Sequence, residues 1–191
     1  MAVDMVYHAG YVYHIKDEYF AKAQDDMLMQ NKEGGNYRPT YYAINDISTG
    51  LLWMIPMSTK FDKYKAIHDK QIQKYGRCLT IVLGEFADKQ AAFLLQNMFP
   101  ITCYYLDHIH TKSGNPMPVK HSIQQVIKTK MKQIFQINTR GKKIVFTDID
   151  RLQNLMLAEL ANTQAKDTNL TTDNETTSDY KIVKYVKIRT N

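Results

Sequence analysis

Cysteine is nearly absent from this chain: Cys78 and Cys103 are its two, far apart and each in apolar surroundings. That excludes a disulfide framework, and the pair reads as buried core thiols of a protein in a reducing cytoplasm. No run approaches the roughly 18 apolar residues needed to span a bilayer. Met1 to Gly10 has no cationic start leading into an apolar core, so neither a membrane span nor a secretory signal is expected. A Gly-rich phosphate loop with its lysine and a dinucleotide fingerprint are both missing, which argues against nucleotide-dependent catalysis. No Gly-flanked elbow presents a serine as in Ser-His-Asp hydrolases. His108 and His110 are the one close histidine pair, and on a strand their spacing aims both rings the same way, beside Asp107. No nearby cysteine or clustered carboxylate completes a zinc site around them, so no metal or cofactor is expected.

Positive charge is abundant. Lys and Arg number 25 against 19 Asp and Glu, giving a net charge of +6 and a pI near 9.1, which favours a polyanionic partner. The bias is local: Lys120, Lys128, Lys130, Lys132, Arg140, Lys142 and Lys143 occur with no acidic residue between Thr111 and Thr147. A merely solvated surface would tolerate interspersed acids, so this stretch reads as a phosphate-binding face.

The length of 191 residues suits one well-buried domain, assigned to residues 1–162. A polar Thr/Asn/Asp linker is expected over 163–180, and a basic strand or tail over 181–191. Hydrophobic patterning predicts strands at Tyr11–Ile15, Thr40–Ile47, Leu51–Ile55, Cys78–Leu83, Ile101–Leu106 and Ile144–Phe146. Helices are expected at Lys16–Asp26, Phe86–Phe99 and Ser122–Ile137, the last opened by a Ser122/Gln125 capping box, with a final helix capped by Thr147 and Asp150. The segments Met27–Pro39, Lys60–Lys74 and Thr111–Pro118 read as loops.

The most informative stretch is Leu51 to Tyr64, where an apolar strand, ended by Pro56, runs into Ser58, Thr59 and Lys60. Thr40–Ile47 and Leu51–Ile55, separated by Ser48-Thr49-Gly50, should pair as an antiparallel hairpin. The start of the first strand then lies beside the finish of the second, which brings the loop carrying Tyr37 and Arg38 next to Ser58. Hydroxyls and fixed cations beside a basic helix, with Tyr19, Tyr37 and Tyr64 available to stack on bases, suit RNA cleavage without a metal. In that chemistry the ribose 2′-hydroxyl attacks the adjacent phosphorus and leaves a 2′,3′-cyclic phosphate and a 5′-hydroxyl. Lys60 or Arg38, with hydroxyl donors from Ser58 and Thr59, would stabilise the charge growing on the non-bridging oxygens. An unperturbed hydroxyl is a poor base at neutral pH, which leaves the proton carriers unassigned. Two rival readings are a noncatalytic RNA- or DNA-binding protein and a metal-dependent hydrolase built on His108 and His110.

Pro56-Met57-Ser58-Thr59-Lys60, followed by Lys63-Tyr64, resembles the Pro-hydrophobic-Ser/Thr-Ser/Thr-Lys pattern of the ToxN/AbiQ family, endoribonuclease toxins of type III toxin–antitoxin systems, and most closely its CptN-like branch. Lys16 to Phe20 after the first strand, Tyr37-Arg38-Pro39 before the second, and the basic helix after Pro118 occur in matching order. The resemblance implies an α+β fold, a kinked antiparallel β-sheet core flanked by helices, similar to MazF/Kid-like ribonucleases. It implies metal-independent, sequence-selective cleavage of cellular or phage mRNA in the cytoplasm, with no cofactor and no membrane partner. It further implies a cognate antitoxin RNA, a pseudoknot-like repeat that the toxin processes and that holds it in a closed protein–RNA assembly. Carried over residue by residue, the active site would be Ser58, Thr59, Lys60 and Tyr19. A loop cation, lysine in some members, is Arg38 or a neighbour according to how Pro39 is aligned. RNA contacts are expected from Tyr37, Lys63, Tyr64, Lys65, Lys120, Lys128, Lys130, Lys132 and Arg140.

Overall fold

Residues 7–33 and 35–172 are described by a computed structural model, the side chains of 33 and 164–172 apart. β1 (Val12–Ile15) leads into α1 (Asp17–Ala23), and the loop beyond carries β2 (Lys32–Glu33) and β3 (Asn36–Tyr37), paired with each other. β4 (Thr40–Asp46) and β5 (Leu51–Ser58) form the expected antiparallel hairpin, in register from Thr40 opposite Pro56 to Asp46 opposite Leu51. Its turn is closed by the Asp46 carboxylate, which accepts from the Ser48 backbone N–H and from the hydroxyls of Ser48 and Thr49.

β5 does not stop at Pro56 as expected but continues to Ser58. Leu52 to Met54 pair with β8 (Phe99–Ile101), whereas Met57 and Ser58 pair with β7 (Lys89–Leu94). Pro56 falls between these two partners, where its missing N–H removes no ladder bond on that side. Among the described residues the resulting sheet has seven strands, in the order β6 (Ile81–Phe86), β7, β5, β4, β1 and β9 (Leu106–Ile109), with β8 also on β5, and its pairings are antiparallel. The α+β expectation of an antiparallel sheet flanked by helices is met.

Two expectations are overturned for instructive reasons. Phe86–Phe99 is not a helix: it holds the β6–β7 turn, β7, a 3₁₀ turn at Leu95–Asn97 and the start of β8. Ala91 and Phe93 pack into one apolar cluster while Ala92 and Leu94 pack into another, so both faces of β7 are buried and the strand period is hidden. Ala87 and Asp88, at φ 51° and 62°, make the mirror-type turn that matches strand twist, from residues that rarely announce it. Lys60–Lys74 is not a loop but most of α2 (Phe61–Tyr75), whose one buried residue is Tyr64. A helix held by so narrow a stripe is polar almost all round, which is why its composition reads as solvated chain. Gly76, at φ 70°, ends it by donating its N–H to the Ile72 carbonyl.

Smaller corrections follow the same pattern. Instead of one strand over Ile101–Leu106, β8 ends at Ile101 and a 3₁₀ turn at Cys103–Tyr105 leads into β9. Cys103 is exposed, unlike Cys78. The Thr111–Pro118 loop contains a small hairpin, β10 (Thr111–Lys112) with β11 (Asn115–Pro116). α3 (His121–Asn138) forms as expected, but Lys120 occupies its cap position with no side-chain capping bond, so the Ser122/Gln125 box is not made. Residues 144–146 are not a strand, and Thr147 donates its hydroxyl to the Met98 carbonyl rather than capping. Asp148 takes that role, accepting from the Arg151 N–H at the start of α4 (Ile149–Thr172). α4 continues past residue 162, where the linker was expected to begin, to Thr172; the rest of the linker and the basic tail at 181–191 lie outside the described residues.

The sheet is covered on two sides. Ile127, Met131 and Ile134 of α3 join Val12, Tyr41, Ile55 and Phe93 in one core. Leu152 and Met156 of α4 join Tyr13, Tyr19, Met54 and Phe99 in another. Among the described residues no helix is long and apolar enough to cross a membrane.

Candidate active site

Ser58 ends β5 and Phe61 begins α2, so Thr59 and Lys60 form the strand-to-helix junction. Ser58 is 6% exposed and its Oγ accepts a hydrogen bond from the Lys60 backbone N–H at 3.2 Å. This local closure turns the chain sharply enough for α2 to start, and it leaves Thr59 and Lys60 exposed. The partial positive charge of the α2 N-terminus adds to the ammonium of Lys60 there.

Across the hairpin, Met57 donates its N–H to the Pro39 carbonyl and its own carbonyl accepts from Arg38 Nη1 at 3.2 Å. Arg38 is 9% exposed; its Nε donates to the Gln30 carbonyl and its backbone N–H to that of Asn31. Asn31 in turn donates its side-chain amide to the Ile15 carbonyl and to Asp17. The loop before β4 is thus tied to β1 and α1 by buried polar bonds, and it fixes the guanidinium beside the end of β5 as the hairpin register predicts.

These groups open onto one cleft of about 790 Å³. Ser58, Thr59, Lys60 and Arg38 contribute to its wall, together with Tyr37, Lys89 and Lys112, and among the described residues none that lines it is acidic. Lys112 is paired with the exposed Asp88 just outside. Tyr37 stands at the rim, its hydroxyl reaching Asp17 at 3.4 Å and its ring covered by the Lys32 ammonium at 4.4 Å. A concave wall of cations and hydroxyls suits a phosphodiester.

Sequence reasoning missed His14 and set His110 aside as half of a metal pair. Both line the cleft, and His14 Nε2 lies 3.1 Å from His110 Nδ1. His108 stacks on the same His14 ring at 4.4 Å, so His108 on β9 and His110 just beyond its end do face the same way. Burial, with His108 and His110 close by, pushes the His14 pKa down to about 4, and burial followed by His108 lowers that of His110. Among the described residues no group of three or more His, Cys, Asp or Glu is arranged to hold a metal ion. The signal that would have found this pair is a histidine at an alternating position of β1, legible only once β9 is known to be its neighbour.

Other expected site residues are placed elsewhere. Tyr19 is fully buried, stacked on Phe99, with its hydroxyl donating to the Pro100 carbonyl at 3.0 Å; burial raises its pKa, and it does not reach the cleft. Tyr64 is 7% exposed and belongs to the small core under α2, so it offers no face to a base. Lys63 lines a shallow recess with Thr59 and Lys60 next to the cleft, and Lys65 pairs with Asp69 along α2. Lys120 pairs with Glu85. Lys130 folds back to donate to the Ile81 carbonyl at 3.0 Å, and burial lowers its pKa. None of Lys128, Lys130, Lys132 and Arg140 lines the cleft.

The sequence matches no protein-family model and no curated protein. Its fold is shared with a solved anti-phage endoribonuclease. That structure is the lactococcal protein AbiQ, which belongs to a type III toxin–antitoxin system; it superposes at a TM-score of 0.57 and 14% identity, over 87% of this chain and all of that one.

Proposed function

We propose that this protein is a metal-independent, sequence-selective endoribonuclease toxin of a type III toxin–antitoxin system, near the CptN-like branch of the ToxN/AbiQ family, acting in phage defence. One observation carries the reading: Ser58, Thr59, Lys60 and Arg38, from two separate segments, line one cleft that has no acid among its described residues. The fold shared with an anti-phage endoribonuclease supports it. RNA lies with its scissile phosphate against Lys60 and the α2 N-terminus. The 2′-hydroxyl attacks phosphorus, the bond to the 5′ oxygen breaks, and a 2′,3′-cyclic phosphate and a 5′-hydroxyl result. Lys60, Arg38 and the hydroxyls of Ser58 and Thr59 stabilise the developing charge. Substrates are cellular or phage mRNA in the cytoplasm. A repeat antitoxin RNA with a pseudoknot-like fold is cut by the same site and then occupies it in a closed assembly, held in part by the basic face of α3.

Incubation with total bacterial RNA in excess EDTA tests this, with the new ends mapped. Cyclic-phosphate ends are expected at a restricted set of sequences, and Ser58→Ala should slow their appearance at least tenfold. Intact RNA, or cutting indifferent to that substitution, would reject the assignment. A noncatalytic RNA-binding protein is the second reading, favoured by the burial of Ser58 and the use of its Oγ within the junction. It requires salt-sensitive binding with no new ends.

A further inference from the structure

The proposed reaction leaves its base unassigned, and the cleft contains a group suited to it. Resting on the ribonuclease reading, we propose that His110 is the general base that takes the 2′ proton, and that His14 is its positioning residue. The two rings come from distant parts of the chain, His14 from β1 and His110 from the residue after β9, and they meet at 3.1 Å between Nε2 and Nδ1. Both line the cleft that holds Ser58, Lys60 and Arg38. With Nδ1 occupied by His14, Nε2 is the His110 nitrogen left for a ligand. Phe86, 5.6 Å from the His110 ring, and His14 limit its rotation.

The charges around the pair favour the neutral, proton-accepting form. His108 stacks on His14 from β9, and Lys60, Lys89, Lys112 and Arg38 share the cleft; Asp107, next to His108 and bonded to it, opposes them. His14 is 9% exposed and lies against the His108 and His110 rings, so burying a charge there is unfavourable and the ring is held neutral. For His110 to act as the base, neutral His14 carries its proton on Nδ1 and offers its Nε2 lone pair to His110 Nδ1–H, which leaves the His110 Nε2 lone pair for the substrate, at the cost of a buried Nδ1–H with no partner among the described residues. In the step, the 2′ proton moves to His110 Nε2 as O2′ bonds to phosphorus. The bond from phosphorus to the 5′ oxygen breaks, and its electron pair leaves on that oxygen, which takes a proton from solvent. The imidazolium, stabilised by the His14 acceptor, then returns its proton to water.

Single-turnover cleavage of an mRNA transcript chosen from the cut sites in total RNA, measured from pH 4.5 to 8.5 in EDTA, tests the assignment. Wild-type cleavage should rise with pH through one ionisation below about pH 6.5. His110→Ala should lose on the order of 10²–10⁴-fold in rate together with that acid limb. Added imidazole should restore cutting in proportion to its unprotonated fraction. His14→Phe should move the acid limb to lower pH as well as slowing the reaction, since the imidazolium loses its acceptor; a merely structural role would slow cutting without moving the limb. Wild-type cleavage that His110→Ala and His110→Gln leave within threefold would overturn the inference while sparing the ribonuclease reading. So would a His110→Ala protein that melts like wild type yet ignores imidazole. Absence of wild-type cleavage would sink both.

Discussion

The cleft and the outer side of α3 are both basic, but they are built differently. On α3 the cations sit within one helix, so the bias is plain in the sequence; none of them lines the cleft, and one folds back onto the β6 backbone. In the cleft the cations come from the loop before β4, the β5–α2 junction, β7 and β10, four places far apart in the chain. A surface of the first kind gives affinity for a polyanion, because phosphate contacts sum with little regard for geometry. An assembly of the second kind holds donors around one phosphate, where position decides how much each contributes to a transition state. Under the proposed function, charge density and chemistry therefore occupy separate regions of this molecule.

Breaking the cleft should cost most. Lys60→Ala is expected to reduce cleavage about 10²–10³-fold, with binding of intact RNA reduced far less. Gel-based single-turnover rates beside filter binding check the contrast, and a parallel fall in both would erase the distinction between the two regions. Outside both regions, Tyr19→Phe should cost about 1–2 kcal/mol of stability by leaving the Pro100 carbonyl without its donor, while cleavage per folded molecule stays at the wild-type level. Urea melts with activity titration decide this, and a catalytic defect at full folding would restore Tyr19 to the site.

Acid should weaken the cleft wall specifically. The folded His14 pKa, near 4, lies below its ordinary value near 6.5, so the unfolded chain binds more protons between those values. Stability is then lost as pH falls from about 6.5 toward 4, by roughly 1–2 kcal/mol, and His14→Phe should flatten that part of the curve. Denaturation midpoints of the two proteins across this range measure the difference. The smallest effect belongs to the α3 face: Lys128→Glu or Lys132→Glu should weaken antitoxin-RNA binding several-fold and lower its salt dependence, leaving the melting temperature and the cutting of a short transcript unchanged. Unaltered affinity would remove α3 from the RNA interface.

How much was legible can be judged from individual residues. Arg38 and Ser58 were placed together correctly because a hairpin with a short polar turn fixes its own register, a local rule that needs no tertiary information. Tyr19 and Tyr64 were misread as base-stacking groups because an aromatic ring beside charged residues looks the same in sequence whether its helix turns it inward or outward. β7 was missed because burial on two faces removes alternation, and α2 because burial of one side chain is too weak a pattern. The histidine pair could not be seen at all, since the partners are 96 residues apart and meet only where β1 pairs with β9.

By itself the sequence determined a basic chain, the β4–β5 hairpin, the amphipathic α3 and the polar junction at Ser58 to Lys60, all products of near-neighbour stereochemistry and charge counting. Only the tertiary structure decided which cations share a concave wall, which tyrosines are core, and that His14 faces His110. Those outcomes depend on sheet order and on which face of each element is buried, and both are settled by long-range packing of the whole chain.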